Sequence, residues 1–327
     1  MGRAKKVLGI LIVSVLALAG CGTDDDSSSG GSGDPQLRKI TYLTAFGAAG
    51  RDAFVWTARE KGYFRDAGFD VDIKLGAATS ENLKALAAGQ TDFAMLDLTG
   101  GIILAGQGKF KDFRAVAAVQ QQTVVSIVAP ADGPVKKPTD LKGKTLGAAT
   151  GSVNQSLFPA YAKKAGLDPA SVKWVNTTPQ QVPALLAAGR VDALSTFLIG
   201  RPGIEKAAGK PMIVLPYSDY LPDLYGNALV TSADLAGRDP DLVKRFKEAA
   251  LKGLADAIAD PKAAGELLHK ENPASAAAAA EAEIRLMTPY TQPLGGLDSG
   301  KVTRAIKLLS DTGLFPAGLT AEQVMAR

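Results

Sequence analysis

One cysteine and one histidine serve a chain of 327 residues, and aromatic side chains make up only 6% of it. A single thiol cannot close an intrachain disulfide, and a single imidazole cannot supply a histidine cluster. His269 stands in GELLHKENP among charged neighbours on a helical pattern, where it reads as a surface residue rather than a base. No Cys–His or Ser–His constellation can be assembled, and acidic residues cluster only at Asp24 to Asp26. A glycine-rich phosphate loop of the nucleotide-hydrolysing kind is absent as well. These absences argue against an enzyme, a resident metal and a bound cofactor. The apolar run Val7 to Gly20 has fourteen residues, about 21 Å of helix against the roughly 30 Å core of a bilayer, so it is too short to span one. Charge of one sign is missing too. Setting aside Arg3, Lys5 and Lys6, the 37 basic residues become 34 against 33 acidic ones, which argues against nucleic acid as a partner, since that would want a basic face.

What is present begins at the N-terminus. Arg3, Lys5 and Lys6 followed by a short greasy core ending in small residues have the layout of a secretory signal over residues 1–20. Leu18-Ala19-Gly20-Cys21 resembles a bacterial lipobox, in which the cysteine sulfur receives a diacylglycerol and becomes the first mature residue. An ordinary cleavage site needs no cysteine, so the resemblance accounts for Cys21 standing where it does. Two or more acyl chains hold a protein on a membrane where one would let it leave. Residues 21–36, rich in Gly, Ser and Asp, cannot bury enough apolar surface to offset their ordering entropy and read as a flexible tether about 20 Å in reach.

From Leu37 short β-rich runs alternate with helical patterns. Strands are expected at 39–45, 71–75, 93–98 and 116–120, then again at 145–149, 172–176, 193–197 and 212–215, with helices such as 155–165 and 180–188 between them. This order implies right-handed crossovers and two mostly parallel sheets covered on both faces. An internal echo supports the repeat. LKALAAGQTDFAML (83–96) and VPALLAAGRVDALST (182–196) share a helix ending in Ala-Ala-Gly, a polar residue, and an aspartate entering a strand. Segments 124–130 and 227–231 read as strands between the two units, the two crossings of a hinge. The expected division is residues 37–122 plus 225–327 as lobe one and 123–224 as lobe two. Helices at 274–287 and 301–310 are expected on lobe one.

Four stretches in this order, AREKGYFRDAGFDVDI, LAAGQTDFAM, PTDLKGKTLGAATGS and LLAAGRVDAL, resemble the substrate-binding proteins of ABC importers in the group that binds nitrate, taurine, alkanesulfonates, thiamine pyrimidine precursors and riboflavin. The resemblance implies a two-lobed α/β periplasmic-binding-protein fold of type II, with two hinge strands and extra C-terminal helices. It also implies a monomer on the outer face of the cytoplasmic membrane, whose partners are a small-molecule ligand and an ABC permease with its ATPase. Contact with the membrane would run through the lipid anchor only.

Ligands on open α/β sheets sit at the carboxyl ends of strands, where helix N-termini aim N–H groups into a crevice. In lobe one those ends carry Phe46, placed to stack on a flat ligand, and Arg51-Asp52, where the pyrimidine-precursor binders have Asn-His. Asp52 reads equally as a helix N-cap. Thr79 and Ser80 can cap the next helix or face an anion. Asp97 interrupts an apolar strand end, where a carboxylate needs a partner or water; Thr99 follows it. Gln120 to Gln122 stand at the exit toward the hinge, with Gln121 taken as the amide contact. In lobe two Thr150, Gly151, Ser152 and Asn154 form an anion-accepting turn, although Ser152 or Asn154 serves equally as a plain N-cap. Phe197 and Arg201 end the next strand, and Tyr225 stands before the return crossing. Arg51 and Arg201 point to an anion such as a sulfonate, nitrate or carboxylate. The aromatics with Asp52 and Asp97 point to a flat nitrogen heterocycle that donates hydrogen bonds, and this second reading is favoured. A lipoprotein that senses a ligand for a receptor is the alternative to import.

Overall fold

The computed structural model describes residues 37–326; the leader, Cys21 and the tether lie outside them. The ten strands are β1 (Arg38–Leu43), β2 (Phe69–Lys74), β3 (Phe93–Asp97), β4 (Phe113–Ala118), β5 (Val125–Pro130), β6 (Thr145–Ala149), β7 (Lys173–Thr177), β8 (Ala193–Phe197), β9 (Met212–Pro216) and β10 (Asn227–Ser232). The helices of the first part are α1 (Ala53–Glu60), α2 (Tyr63–Asp66), α3 (Thr79–Ala87) and α4 (Leu98–Gly106). The middle contains α5 (Val153–Lys164), α6 (Val182–Ala187) and α7 (Arg201–Ala208). The C-terminal part adds α8 (Ala233–Arg238), α9 (Pro240–Ala259), α10 (Pro261–Glu271), α11 (Ala277–Met287) and α12 (Ser299–Asp311).

Two five-stranded sheets result, ordered β2-β1-β3-β10-β4 and β7-β6-β8-β5-β9. In the first, β1 pairs parallel with β2 and β3, while β10 runs antiparallel to β3 and β4. In the second, β6 pairs parallel with β7 and β8, while β5 runs antiparallel to β8 and β9. The segments expected between the lobes are therefore strands inside them. Both are buried over their first five residues, and a strand apolar on both faces is stable only with neighbours on each side. The chain instead crosses just before each of them, through residues 119–124 and 217–226. Every parallel strand runs toward these crossings, so the carboxyl ends of both sheets lie on the side of the crossings.

The Ala-Ala-Gly echo has a structural counterpart. Asp92 accepts the Thr41 N–H at 2.8 Å and Asp192 accepts the Thr145 N–H at 2.7 Å, so each aspartate ties the incoming strand to the central one. The first lobe's core gathers around Phe246 of α9, stacked on Phe93 at 3.9 Å and on Phe64 at 4.9 Å. Helix α11 packs on the turn Gly50–Asp52 of the first lobe and also on the turn Leu198–Gly200 of the second. Leu198 and Ile199 are buried there.

The end of the chain holds both crossings. Gln121 donates its backbone N–H to Tyr290 O and its side-chain amide to Pro293 O and Gly296 O. Lys301 Nζ donates to Gln121 O and lies 4.5 Å from the centre of the Tyr225 ring. Arg304 pairs with Asp223 at 3.0 Å.

Candidate functional site

A buried carboxylate organises the loop after β1. Asp52 accepts the Ala45 N–H with both oxygens at 3.1 Å and the Tyr42 hydroxyl at 3.1 Å. It occupies the N-cap position of α1 but makes no cap bond, because its backbone is already helical there (φ −103°, ψ −2°) and both its oxygens are taken by the Ala45 N–H. Burial pushes its carboxyl up to about 7, against the pull of Arg51, the Ala45 N–H and the Tyr42 hydroxyl. Arg51 pairs with Glu283 of α11 at 3.0 Å and lies 4.0 Å from Asp52. Phe46 stands 39% exposed at the loop tip, near Leu75, which is 51% exposed. The two loops are joined by a bond from Gly47 N–H to Gly76 O at 2.8 Å.

Asn82 braces the three strand ends. Its Nδ2 donates to Thr44 O and Met95 O, both at 2.8 Å, and its Oδ1 accepts the Ala77 N–H. Gly76 permits this approach, since a Cβ there would lie 1.9 Å from Thr44 O. The sequence carried a signal for this residue: Asn82 shares a helix face with Leu83 and Leu86, an amide where an apolar side chain is expected. Thr79 and Ser80 open α3 without a side-chain cap bond, and the Thr79 side chain abuts Gly100 together with Asp97.

Asp97 combines a cap with a free atom. Its Oδ1 accepts the Gly100 N–H at 2.7 Å, capping α4, while Oδ2 is buried with no partner. Burial raises its carboxyl to about 6, offset in part by the Gly100 N–H. Thr99 is buried and donates to Tyr225 O at 2.7 Å. Gln120 accepts the Asn227 N–H through Oε1 at 2.9 Å and keeps Nε2 buried and unpartnered. Gln121 and Tyr225 turn toward the C-terminal segment instead: the Tyr225 hydroxyl accepts the Asp298 N–H at 3.0 Å. Within the run Gln120 to Gln122, sequence alone could not tell which amide faces the strand ends. Gln120 and Gln121 lie in the bend after β4 and part there, Gln120 toward Asn227 and Gln121 toward Pro293 and Gly296.

On the second lobe, Ser152 occupies the N-cap of α5 without a side-chain cap bond, and its Oγ is buried and unpartnered. Asn154 is buried and its Oδ1 has no partner, while its backbone carbonyl accepts from Ser195 Oγ at 3.1 Å. Ser195 Oγ also bonds the Tyr217 hydroxyl at 2.9 Å, and Tyr217 stacks on Tyr161 at 4.0 Å. Thr150 donates to Thr177 O at 3.3 Å, and Gly151 takes a φ of +67°, which turns the chain into α5. Phe197 is half-buried against both main core clusters. Arg201 lies 3.6 Å from Glu205 on its own helix.

The fold thus brings Thr79, Asp97 and Thr99 to one sheet end, with Gln120 beside them. Ser152 and Asn154 lie at the end of the other sheet. A cavity of about 530 Å³ lies elsewhere, between the crossings and the C-terminal segment, lined by Gln121, Tyr225, Tyr290, Lys301 and Arg304. The polar groups of Gln121, Tyr225 and Arg304 are already engaged there, whereas the strand ends hold buried polar atoms without partners. Buried polar groups are almost always satisfied, so unpartnered ones mark where a ligand or water belongs. The strand ends are the candidate site. Among the described residues no cluster of three or more His, Cys, Asp or Glu is placed to hold a metal ion, and no helix is long and apolar enough to cross a membrane.

A family model described as NMT1/THI5 like matches residues 51–264. The chain belongs to that family. It is 25% identical over 334 residues to the formylaminopyrimidine-binding protein of Halalkalibacterium halodurans, covering 99% of this chain and 98% of the relative. It is 23% identical over 270 residues to the riboflavin-binding protein RibY of Chloroflexus aurantiacus, covering 80% and 76%. In fold it is similar to the periplasmic aliphatic sulphonate binding protein SsuA of Escherichia coli. That likeness has a TM-score of 0.72 at 17% identity, over 90% of this chain and 92% of that one.

Proposed function

We propose that this chain is the extracytoplasmic solute-binding component of an ABC importer. Its two lobes close on a small organic ligand and deliver it, chemically unchanged, to a permease. The ligand reading rests on the unpartnered, buried Oδ2 of Asp97 at the carboxyl end of β3. An acceptor held there favours a ligand that donates a hydrogen bond, such as a flat nitrogen heterocycle. Of the cations that an anion would need, Arg51 is held by Glu283 at 3.0 Å, while Arg201 lies 3.6 Å from Glu205 with its Nε unpartnered and is the residue that the anion reading would use. Names of relatives as riboflavin and formylaminopyrimidine binders support the same direction. The sulfonate reading draws on the likeness to a sulphonate binder, which speaks for the fold.

Calorimetry on the full chain with formylaminopyrimidine, riboflavin and ethanesulfonate tests the ligand class. A heterocycle should bind, and a ligand at 100 times its dissociation constant should add about 2.7 kcal/mol of stability. Asp97→Asn should weaken that binding by roughly 1.5–3 kcal/mol, about 10- to 150-fold. Ethanesulfonate binding that survives Asp97→Asn and fails in Arg201→Ala would reverse the assignment.

The protein acts as a monomer, held on the outer face of the cytoplasmic membrane through acylated Cys21. The Leu-Ala-Gly-Cys sequence supports this reading. Labelled fatty acid should enter the wild-type chain and be absent from Cys21→Ala; label in the variant would remove the anchor.

A further inference from the structure

Asn227, the first residue of β10, stands between two buried polar groups that each lack one partner. On one side Asp97 faces it in the β3–β10 register, with Oδ1 engaged by Gly100 and Oδ2 free. On the other side Gln120 accepts the Asn227 N–H through Oε1, which fixes the amide orientation and leaves the Nε2 donor free. Gln120 is fully buried and Asp97 is 6% exposed, so bulk water does not serve either atom. A Cβ at Gly226 would lie 2.4 Å from Gln120 Oε1, so the glycine next to Asn227 makes room for the amide.

We propose that Gln120 is a specificity-determining residue of the cleft, donating from Nε2 to an acceptor of the same ligand whose donor Asp97 receives. This rests on the solute-binding reading above and narrows it. The ligand carries a hydrogen-bond donor and a hydrogen-bond acceptor together, as ring amides and amino-substituted nitrogen heterocycles do. A sulfonate or nitrate offers acceptors alone and would leave Asp97 unpaired. Sites built to bond a polar group reject analogues lacking it far more strongly than apolar pockets reject a missing methylene, because the site's own groups are then left unpaired.

Gln120→Glu isolates the claim, because glutamate keeps an oxygen for the Asn227 N–H and replaces the Nε2 donor with an acceptor. Calorimetry on the full chain with formylaminopyrimidine, riboflavin and ethanesulfonate, which offers acceptors alone, should show Gln120→Glu losing roughly tenfold or more in affinity for the heterocycle that the wild type binds. Its thermal midpoint without ligand should fall, because the new carboxylate is buried without a partner, so affinity is compared well below that lowered midpoint. The wild-type protein gives a second readout: the side-chain amide resonance of Gln120 should shift and become protected from solvent exchange when the bound probe is added. A probe that binds the wild type and Gln120→Glu equally, or leaves that resonance unmoved, overturns the role of Gln120 while the solute-binding reading stands. A wild type that binds none of the three probes removes both.

Discussion

The two lobes are built alike and furnished differently. Each has a central strand paired in parallel on both sides, an antiparallel strand received from the crossing, and an aspartate tying the third strand to the central one. The echoed segments align Asp92 with Asp192, and the same offset sets Asp97 and Thr99 opposite Phe197 and Ile199. Where the first lobe ends its strand in a carboxylate and a hydroxyl, the second ends in a ring and an aliphatic side chain. Shared positions carry the folding bonds, and the divergent ones lie at the strand ends. The first lobe offers the buried carboxylate of the candidate site, while the second adds an amide at Asn154 and an apolar edge that rests on α11.

Acidity separates the lobes most sharply. Among the described residues the two carboxyls raised by burial, Asp52 at about 7 and Asp97 at about 6, both belong to the first lobe. An acid whose pKa is higher in the folded state than in the unfolded state keeps a proton that the unfolded chain has released. Its contribution is therefore full below about pH 4 and is lost as pH rises toward 7. For Asp52 the difference corresponds to on the order of 4 kcal/mol. Thermal midpoints should fall between pH 4.5 and 7.5, in the range the Asp52 shift sets, and Asp52→Asn should remove most of that fall. Hydrogen exchange should place the change in first-lobe amides; an equal change in both lobes would contradict the assignment.

A smaller effect tests the likeness instead of the difference. Asp92→Ala and Asp192→Ala each remove a charged acceptor from a central-strand N–H, so each should cost roughly 1.5–3 kcal/mol in denaturant melts. Costs that differ by more than about 1 kcal/mol, beyond the usual spread for one kind of interaction, would break the equivalence of the lobes.

Much of this architecture was legible in the sequence because it rests on side-chain pattern. The alternation of short strands with helices, and the repeated Ala-Ala-Gly followed by aspartate, predict two α/β units before any coordinates. Strand direction is not written in hydrophobicity, so the segments at 124–130 and 227–231 read as strands but not as inserted ones. Asp52 before a helix carries the signature of a cap and does occupy that position, but its backbone is already helical there and its carboxylate turns back to Ala45. The hold on Gln121 uses the carbonyls of Tyr290, Pro293 and Gly296, groups that every residue owns, and so left no compositional trace. At the site Asp97 stood out by its chemistry, whereas choosing Gln120 over Gln121 required the register with Asn227.

The insertion of β10 between β3 and β4 sets the order in which the molecule can be made. The second sheet draws all its strands from residues 125–216, one uninterrupted stretch that can assemble as soon as it is available. The first sheet has four strands in hand by residue 118 and must hold an opening between β3 and β4 until residue 227 arrives. Pairings so distant in sequence form slowly, because the loop between them has to close before any contact rewards it. The lobe that starts first is thus the lobe that finishes last, and the residues around Asp97, Gln120 and Asn227 come together only when the second lobe's sequence is complete.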